Sequence, residues 1–222
     1  MHPAYFIAGT DTGIGKTFCT TALLHAAKKS GLHSTGYKPV ATEADENGWN
    51  EDVSALRAAS SEVYAYQEHN GYTFREATAP HLAAVDENRP INTACLSEGL
   101  AKLKQKSSLV LVEGAGGWLT PLDDETDFAD WVVSQQLPVI LVVGMKLGCI
   151  NHALLTVEAI RHSGLELAGW VANCITAQPH RLEDYLDTLV KRIPAPLLGL
   201  MPYMPGARAE TVAEFLDIGL LD

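Results

Sequence analysis

A chain of 222 residues is long enough for one substantial core around a large sheet and short for two, so the expected organisation is a single domain spanning 1–222. Hydrophobic residues make up 47% and charged residues 19%, which excludes a disordered segment. The net charge of −11 disfavours nucleic-acid backbones and anionic membranes as partners, and no apolar run reaches the ~20 residues a membrane helix needs.

Met1-His2-Pro3-Ala4-Tyr5 enters an apolar stretch without the basic start and cleavage site of a secretory signal. Cys19, Cys95, Cys149 and Cys174 are widely spaced, with no C-x-x-C pair and no histidine at zinc spacing. Both features predict a cytoplasmic protein with free thiols. Apolar runs alternate with helical patterns along the whole chain, predicting an α/β fold: a three-layer, mostly parallel, doubly wound sheet flanked by helices.

The first predicted strand, 5–8, runs into Gly9-Thr10-Asp11-Thr12-Gly13-Ile14-Gly15-Lys16-Thr17 and a helix over 16–30 that Gly31 stops. A glycine-rich turn opening a helix supplies what phosphates need, backbone N–H groups at the positive end of the helix dipole. Lys16 adds a mobile cation, and Thr17 a hydroxyl placed to ligate magnesium bridging two phosphates. In the common pattern G-x-x-x-x-G-K-[ST] the first position is glycine; here it is Thr10, with Gly9 one residue earlier, so the loop is a variant. A plain helix cap explains the glycines but not Gly-Lys-Thr in this register. The segment is therefore read as a phosphate-binding loop for ATP with magnesium, in a fold of the phosphate-loop nucleoside triphosphatase type.

A second strand is predicted at 35–37, ended by Tyr37-Lys38-Pro39-Val40, which puts Lys38 in the crevice on the sheet's carboxyl side. A second lysine suits a reaction that moves negative charge onto a phosphoryl group, although a lone lysine at a strand end is ordinarily solvated. The helix at 52–59 opens at Asn50-Glu51-Asp52-Val53; Glu51 and Asp52 are both candidate magnesium ligands and both ordinary first-turn acids, and the pattern does not choose between them. From 48 to 90 the periodicity weakens, predicting loops and short helices above the carboxyl edge. A helix follows at 93–104 and a strand at 109–112 that is apolar at every position, as strands covered on both faces are. Glu113 comes next, then Gly114-Ala115-Gly116-Gly117. A carboxylate there would be costly to bury unless a cation such as magnesium compensated it, and the glycines let the backbone approach a substrate. The run Asp123-Asp124-Glu125 reads as a solvated loop. Beyond it are a helix at 128–135, an apolar strand at 139–143, a helix at 151–163, a strand at 167–172, a helix at 181–192, a strand at 197–200 and a helix at 210–216. His152, in Gly148-Cys149-Ile150-Asn151-His152, has no paired nucleophile and belongs to a helix start, where free N–H groups can hold an anion.

Taken together, Gly9–Thr17, Tyr37-Lys38-Pro39-Val40 and Val112-Glu113-Gly114-Ala115-Gly116-Gly117 resemble the motifs of the dethiobiotin synthetases. The segment 138–152, Gly169-Trp170-Val171-Ala172-Asn173 and Ile193-Pro194-Ala195-Pro196-Leu197-Leu198-Gly199 match in the same order, so the resemblance covers nearly the whole chain. It implies a homodimeric, Mg2+-dependent ligase that closes the ureido ring of 7,8-diaminopelargonate with CO2 and ATP, through a carbamate and a carbamic-phosphoric anhydride. Carried over position by position, Lys16 and Lys38 are catalytic and Thr17, Asp52 and Glu113 hold the metal, which by analogy selects Asp52 over Glu51. ATP contacts are implied for Thr12, Gly13, Ile14, Gly15, Phe18, Gly114, Ala115 and Gly116, and at the base end for Asn173, Cys174, Pro202, Tyr203 and Met204. Thr42, Gly116 and Gly117 fall on substrate positions, and Gly148, Cys149, Ile150 and Asn151 of the partner subunit on the site for the substrate's carboxylate tail. Two departures stand out: position 13 is Gly where the best-known pattern has Glu, and the segment after Met204 aligns poorly, so that the nucleotide-contacting Glu the resemblance implies is either Glu210 or absent. Two rivals fit less well. A partition ATPase carries an early loop lysine where this chain has Thr10 and Asp11, and an amidotransferase-type synthetase needs a glutaminase domain that 222 residues do not accommodate.

Overall fold

The computed structural model describes residues 3–177 and 181–221; Met1 and His2, at the start of the apolar entry, lie outside them. In chain order the elements are β1 (Ala4–Gly9), α1 (Lys16–Lys29), β2 (Ser34–Ala41), α2 (Glu51–Ala59), β3 (Asn70–Thr73), α3 (Pro80–Asp86), α4 (Thr93–Lys106) and β4 (Leu109–Glu113). They continue as α5 (Phe128–Ser134), β5 (Val139–Met145), α6 (Cys149–His162), β6 (Leu167–Cys174), α7 (Leu182–Arg192), β7 (Leu197–Met201) and α8 (Ala209–Val212). The seven strands form one sheet in the order β3-β2-β4-β1-β5-β6-β7, and each pairing is parallel.

Strand alternation divides the core in two. Tyr5, Ile7, Leu109 and Leu111 point to one face, where α1, α2 and α8 cover them. Phe6, Ala8, Val110 and Val112 point to the other, under residues of α3 to α7. A strand buried on both faces has no polar positions to show, hence the unbroken apolar runs. Because β1 lies between β4 and β5 and the chain leaves it toward both edges, the carboxyl ends of β1 and β4 border the crevice where such sheets bind ligands.

Three expectations are corrected. The second strand does not end before Lys38 but continues to Ala41, exchanging β4 as neighbour for β3: Ser34 to Tyr37 pair with β4, and Lys38, Val40 and Ala41 with β3. The Lys38 N–H donates to the His69 carbonyl on the β3 side, so the nitrogen of Pro39 faces the side where pairing with β4 has ended and no donor is missed. β3 itself, Asn-Gly-Tyr-Thr, is an edge strand too short and polar to carry a periodic signal. The last predicted helix is reduced to one turn, α8, followed by a 3-10 turn at Ala213–Phe215. There the backbone is drawn into pairing with β7: Leu216 bridges Gly199, and the Asp217 N–H donates to the Leu198 carbonyl at 2.8 Å.

Candidate active site

The loop between β1 and α1 is shaped by two left-handed glycines, Gly13 (φ 70°) and Gly15 (φ 80°). Gly15 is the N-cap of α1, no side chain caps the helix, and its first turn contains no acidic residue. Both properties leave a positive helix end available to an anion. From below, the Asn173 amide at the end of β6 donates to the Ile14 carbonyl at 2.7 Å, and Ile14 packs over Gly144 of β5. Lys16 is folded across the loop, its Nζ donating to the carbonyls of Gly116 (2.6 Å) and Asp11 (3.2 Å). Burial brings its pKa down to about 8, against the pull of Glu113.

Beside the loop lies a compact charge cluster. Lys38 Nζ reaches Glu113 Oε1 and Asp52 Oδ2, both at 2.6 Å, and the Thr17 hydroxyl donates to the same Glu113 oxygen at 2.8 Å. Burial lowers the Lys38 pKa, but the two carboxylates together outweigh it and hold the group above its ordinary value. For Asp52 burial acts upward, and Lys38 with the Thr17 hydroxyl overrides it, leaving the carboxyl below the usual range. Glu113 is fully buried, and its Oε2 has no hydrogen-bond partner among the described residues. A buried carboxylate oxygen without a partner is costly, so the cluster is built to receive a further donor or cation.

The cluster opens into a cavity of about 1010 Å3. Thr12, Gly13, Gly15, Lys16, Thr17 and Phe18 line it, together with Lys38, Thr42, Asp52, Glu113, Ala115 and Gly116. Of the two acids that the sequence pattern leaves open, Asp52 meets Lys38, while Glu51, also in the lining, is exposed. Other expected positions lie outside this lining. Gly114 packs on the Phe6 ring, the Gly117 carbonyl accepts from Thr120, and Cys174 ends β6. Pro202, Tyr203 and Met204 follow β7, and Cys149 to Asn151 form the first turn of α6 behind Gly148. That helix begins two residues earlier than predicted. Two features go unnoticed in the sequence. The loop 43–50, closed by Asp45 accepting from the Asn47 and Trp49 N–H groups, supplies part of the cavity wall. Lys146, just after β5, pairs with Asp11 at 2.6 Å; its signal, a lysine at the carboxyl end of a central strand, is the one that singles out Lys38.

A strand, an open glycine loop, Gly-Lys-Thr at the helix start and a buried acid at the end of the adjacent strand define a phosphate-loop protein that binds nucleoside triphosphates, and an AAA domain family model matches residues 3–211. Along its full length the chain is 53% identical to the whole of an ATP-dependent dethiobiotin synthetase of Escherichia coli (strain K12). It is 49% identical to that of Yersinia pestis, over 99% of this chain and 92% of the relative. The chain belongs to the dethiobiotin synthetases, ATP-dependent ligases that form C–N bonds. In fold it is similar to a MinC:MinD cell division protein complex chain from Aquifex aeolicus (TM-score 0.55, 14% identity, 92% of this chain and 83% of that one). It is equally similar to a ParA family ATPase from Chlorobium tepidum (TM-score 0.55, 12% identity, covering 97% and 91%).

Proposed function

We propose that this protein carboxylates 7,8-diaminopelargonate with CO2 and closes its ureido ring at the expense of ATP, releasing dethiobiotin, ADP and phosphate. The observation that carries the reading is the convergence of Lys16, Lys38, Asp52 and Glu113 on one cavity beside the phosphate loop. One substrate amine takes up CO2 as a carbamate, which attacks the γ phosphate; the second amine then displaces phosphate from the mixed anhydride as the ring closes. No covalent nucleophile is required of the enzyme, only orientation and neutralisation of phosphoryl charge. Lys16 leaves its carbonyl partners for the triphosphate, and Lys38 faces the carbamate and the transferring group. Thr42, on the cavity wall, offers a hydroxyl to the substrate.

Thr17, Asp52 and Glu113 suit magnesium, which is commonly held by one or two carboxylates with water and phosphate oxygens as the remaining ligands. The unpartnered Glu113 Oε2 supports that fit. Bound there, magnesium would draw charge from the phosphate oxygens. Purified protein given ATP, magnesium, bicarbonate and 7,8-diaminopelargonate is expected to form dethiobiotin by mass spectrometry, and chelation is expected to stop it. Absence of product at saturating substrate would reject the assignment.

The working unit we propose is a cytoplasmic homodimer in which Gly148, Cys149, Ile150 and Asn151 of one subunit hold the carboxylate tail of the diamine bound by the other. Leu147 (83% exposed), just before α6, and Leu155 (63%), on it, are large apolar side chains that a partner subunit would cover, and α6 starts at a left-handed glycine without a side-chain cap. Among the described residues no helix is long and apolar enough to cross a membrane. A shared site predicts complementation. Lys38→Met and Gly148→Val subunits, each inactive alone, should recover roughly a quarter of wild-type activity when co-refolded in equal amounts, because half the dimers are mixed and each has one intact site. No recovery in verified mixed dimers would mean that each site is built from one chain.

A further inference from the structure

Asp11 brings a negative charge into a loop that, on the reading above, must accept a triphosphate. Its carboxylate accepts the Thr12 N–H at 2.8 Å, and its carbonyl accepts Lys16 Nζ, so it is wired to the parts of the loop that face phosphate. The cavity offers no spare cation to answer it: Lys16 and Lys38 stand against Asp52 and Glu113, and Glu43, Asp45 and Glu51 add further negative charge. Asp11 is therefore an uncompensated charge unless something outside the loop answers it. Lys146 does so, with Nζ 2.6 Å from Asp11 Oδ2, reaching over from the segment between β5 and α6. The Lys146 carbonyl in turn accepts the Cys149 N–H, so the residue that meets Asp11 also closes the turn launching α6.

We propose that Lys146 masks the Asp11 charge for nucleotide binding and, through the same contact, positions the phosphate loop against the start of α6. The proposal rests on the loop being a triphosphate site. It assigns the lysine to the carboxylate rather than to phosphate, and the two assignments differ in what a second substitution does. With Asp11 43% and Lys146 34% exposed, the pair adds little to folding, so a large fall in melting temperature is not expected from either substitution. What changes is the potential met by an approaching anion.

Calorimetric titration with a non-hydrolysable ATP analogue and magnesium tests this. Lys146→Met should weaken binding about fivefold at low salt, the effect of one unmasked surface charge several ångströms from phosphate. Asp11→Asn should bind at least as tightly as wild type, and the double variant Asp11→Asn/Lys146→Met should return to within about twofold of it. The deficit of Lys146→Met should shrink at about 0.5 M salt, which a distorted loop would not do. A double variant as weak as Lys146→Met would mean that the lysine contacts phosphate directly, and wild-type affinity in Lys146→Met would mean that it does nothing; either overturns the proposal. Failure of the wild type to bind the analogue would instead remove the nucleotide site and the proposal with it, an outcome visible without any variant.

Discussion

Lys38→Met is expected to reduce dethiobiotin formation at least about a thousandfold, because it removes a preorganised cation from the place where phosphoryl charge develops. The same substitution acts on the fold. Lys38 is the partner of two carboxylates, one of them fully buried, and Glu113 is left with the Thr17 hydroxyl alone. Taking one partner from a buried ion pair costs about 3 kcal/mol or more, and in a chain of this size that is roughly a 10 °C fall in melting temperature. A lost activity could then be blamed on lost folding, so the variant is best measured with and without magnesium. A cation bound by Asp52, Glu113 and Thr17 returns positive charge to the cluster and should raise the melting temperature of Lys38→Met more than that of wild type. Activity should stay low in both conditions, since a lysine is still missing. Near-wild-type turnover in Lys38→Met would refute the catalytic role. A melting temperature equal to wild type's, insensitive to magnesium, would refute the account of the cluster.

How much of this site can be read from sequence depends on whether the backbone leaves a mark. Lys16 and Thr17 are legible because they follow Gly15 in a register that a plain helix cap does not explain, and Glu113 because it ends an apolar strand and precedes glycines that let the backbone approach a substrate. Lys38 is legible as a crevice residue, but its place inside β2 is not, since Pro39 reads as a strand end until β3 is seen to take over the pairing. Asp52 and Glu51 are neighbours in the first turn of α2, and only the direction of the helix decides which one meets Lys38. Lys146 carries the same strand-end signal as Lys38, but its partner Asp11 cannot be read from sequence, because their meeting exists only after β1 and β5 have paired, and the loop 43–50 leaves no local mark at all. The sheet is readable where burial on both faces forces unbroken apolar runs, and unreadable at the edge strand β3 and in α8, where pairing of the 216–217 segment with β7 overrides a helical pattern.

Gly13 and Gly15 separate two costs that phosphate-loop substitutions usually combine. Both have positive φ, so alanine at either pays about 1–2 kcal/mol of backbone strain. A Cβ on Gly13 meets nothing within 4 Å, whereas one on Gly15 would collide with the Asn173 amide. That amide cannot simply retreat: it belongs to the end of β6, is buried, and holds the Ile14 carbonyl at 2.7 Å. The collision therefore moves the loop, and a displacement of the order of 1 Å in a group that orients phosphate can cost about a hundredfold in rate. Gly15→Ala is expected to lose at least that much kcat/KM, while Gly13→Ala stays within about tenfold of wild type, the size of the strain alone. Gly13→Glu, which installs the residue the resemblance leads one to expect, has the same open space and should be tolerated as well. The collision should also lower the melting temperature of Gly15→Ala, and Asn173→Ala in that background removes the obstacle and should recover part of the fall. Equal losses for the two alanine variants, with no recovery on removing the amide, would show that strain rather than the Asn173 contact makes Gly15 necessary.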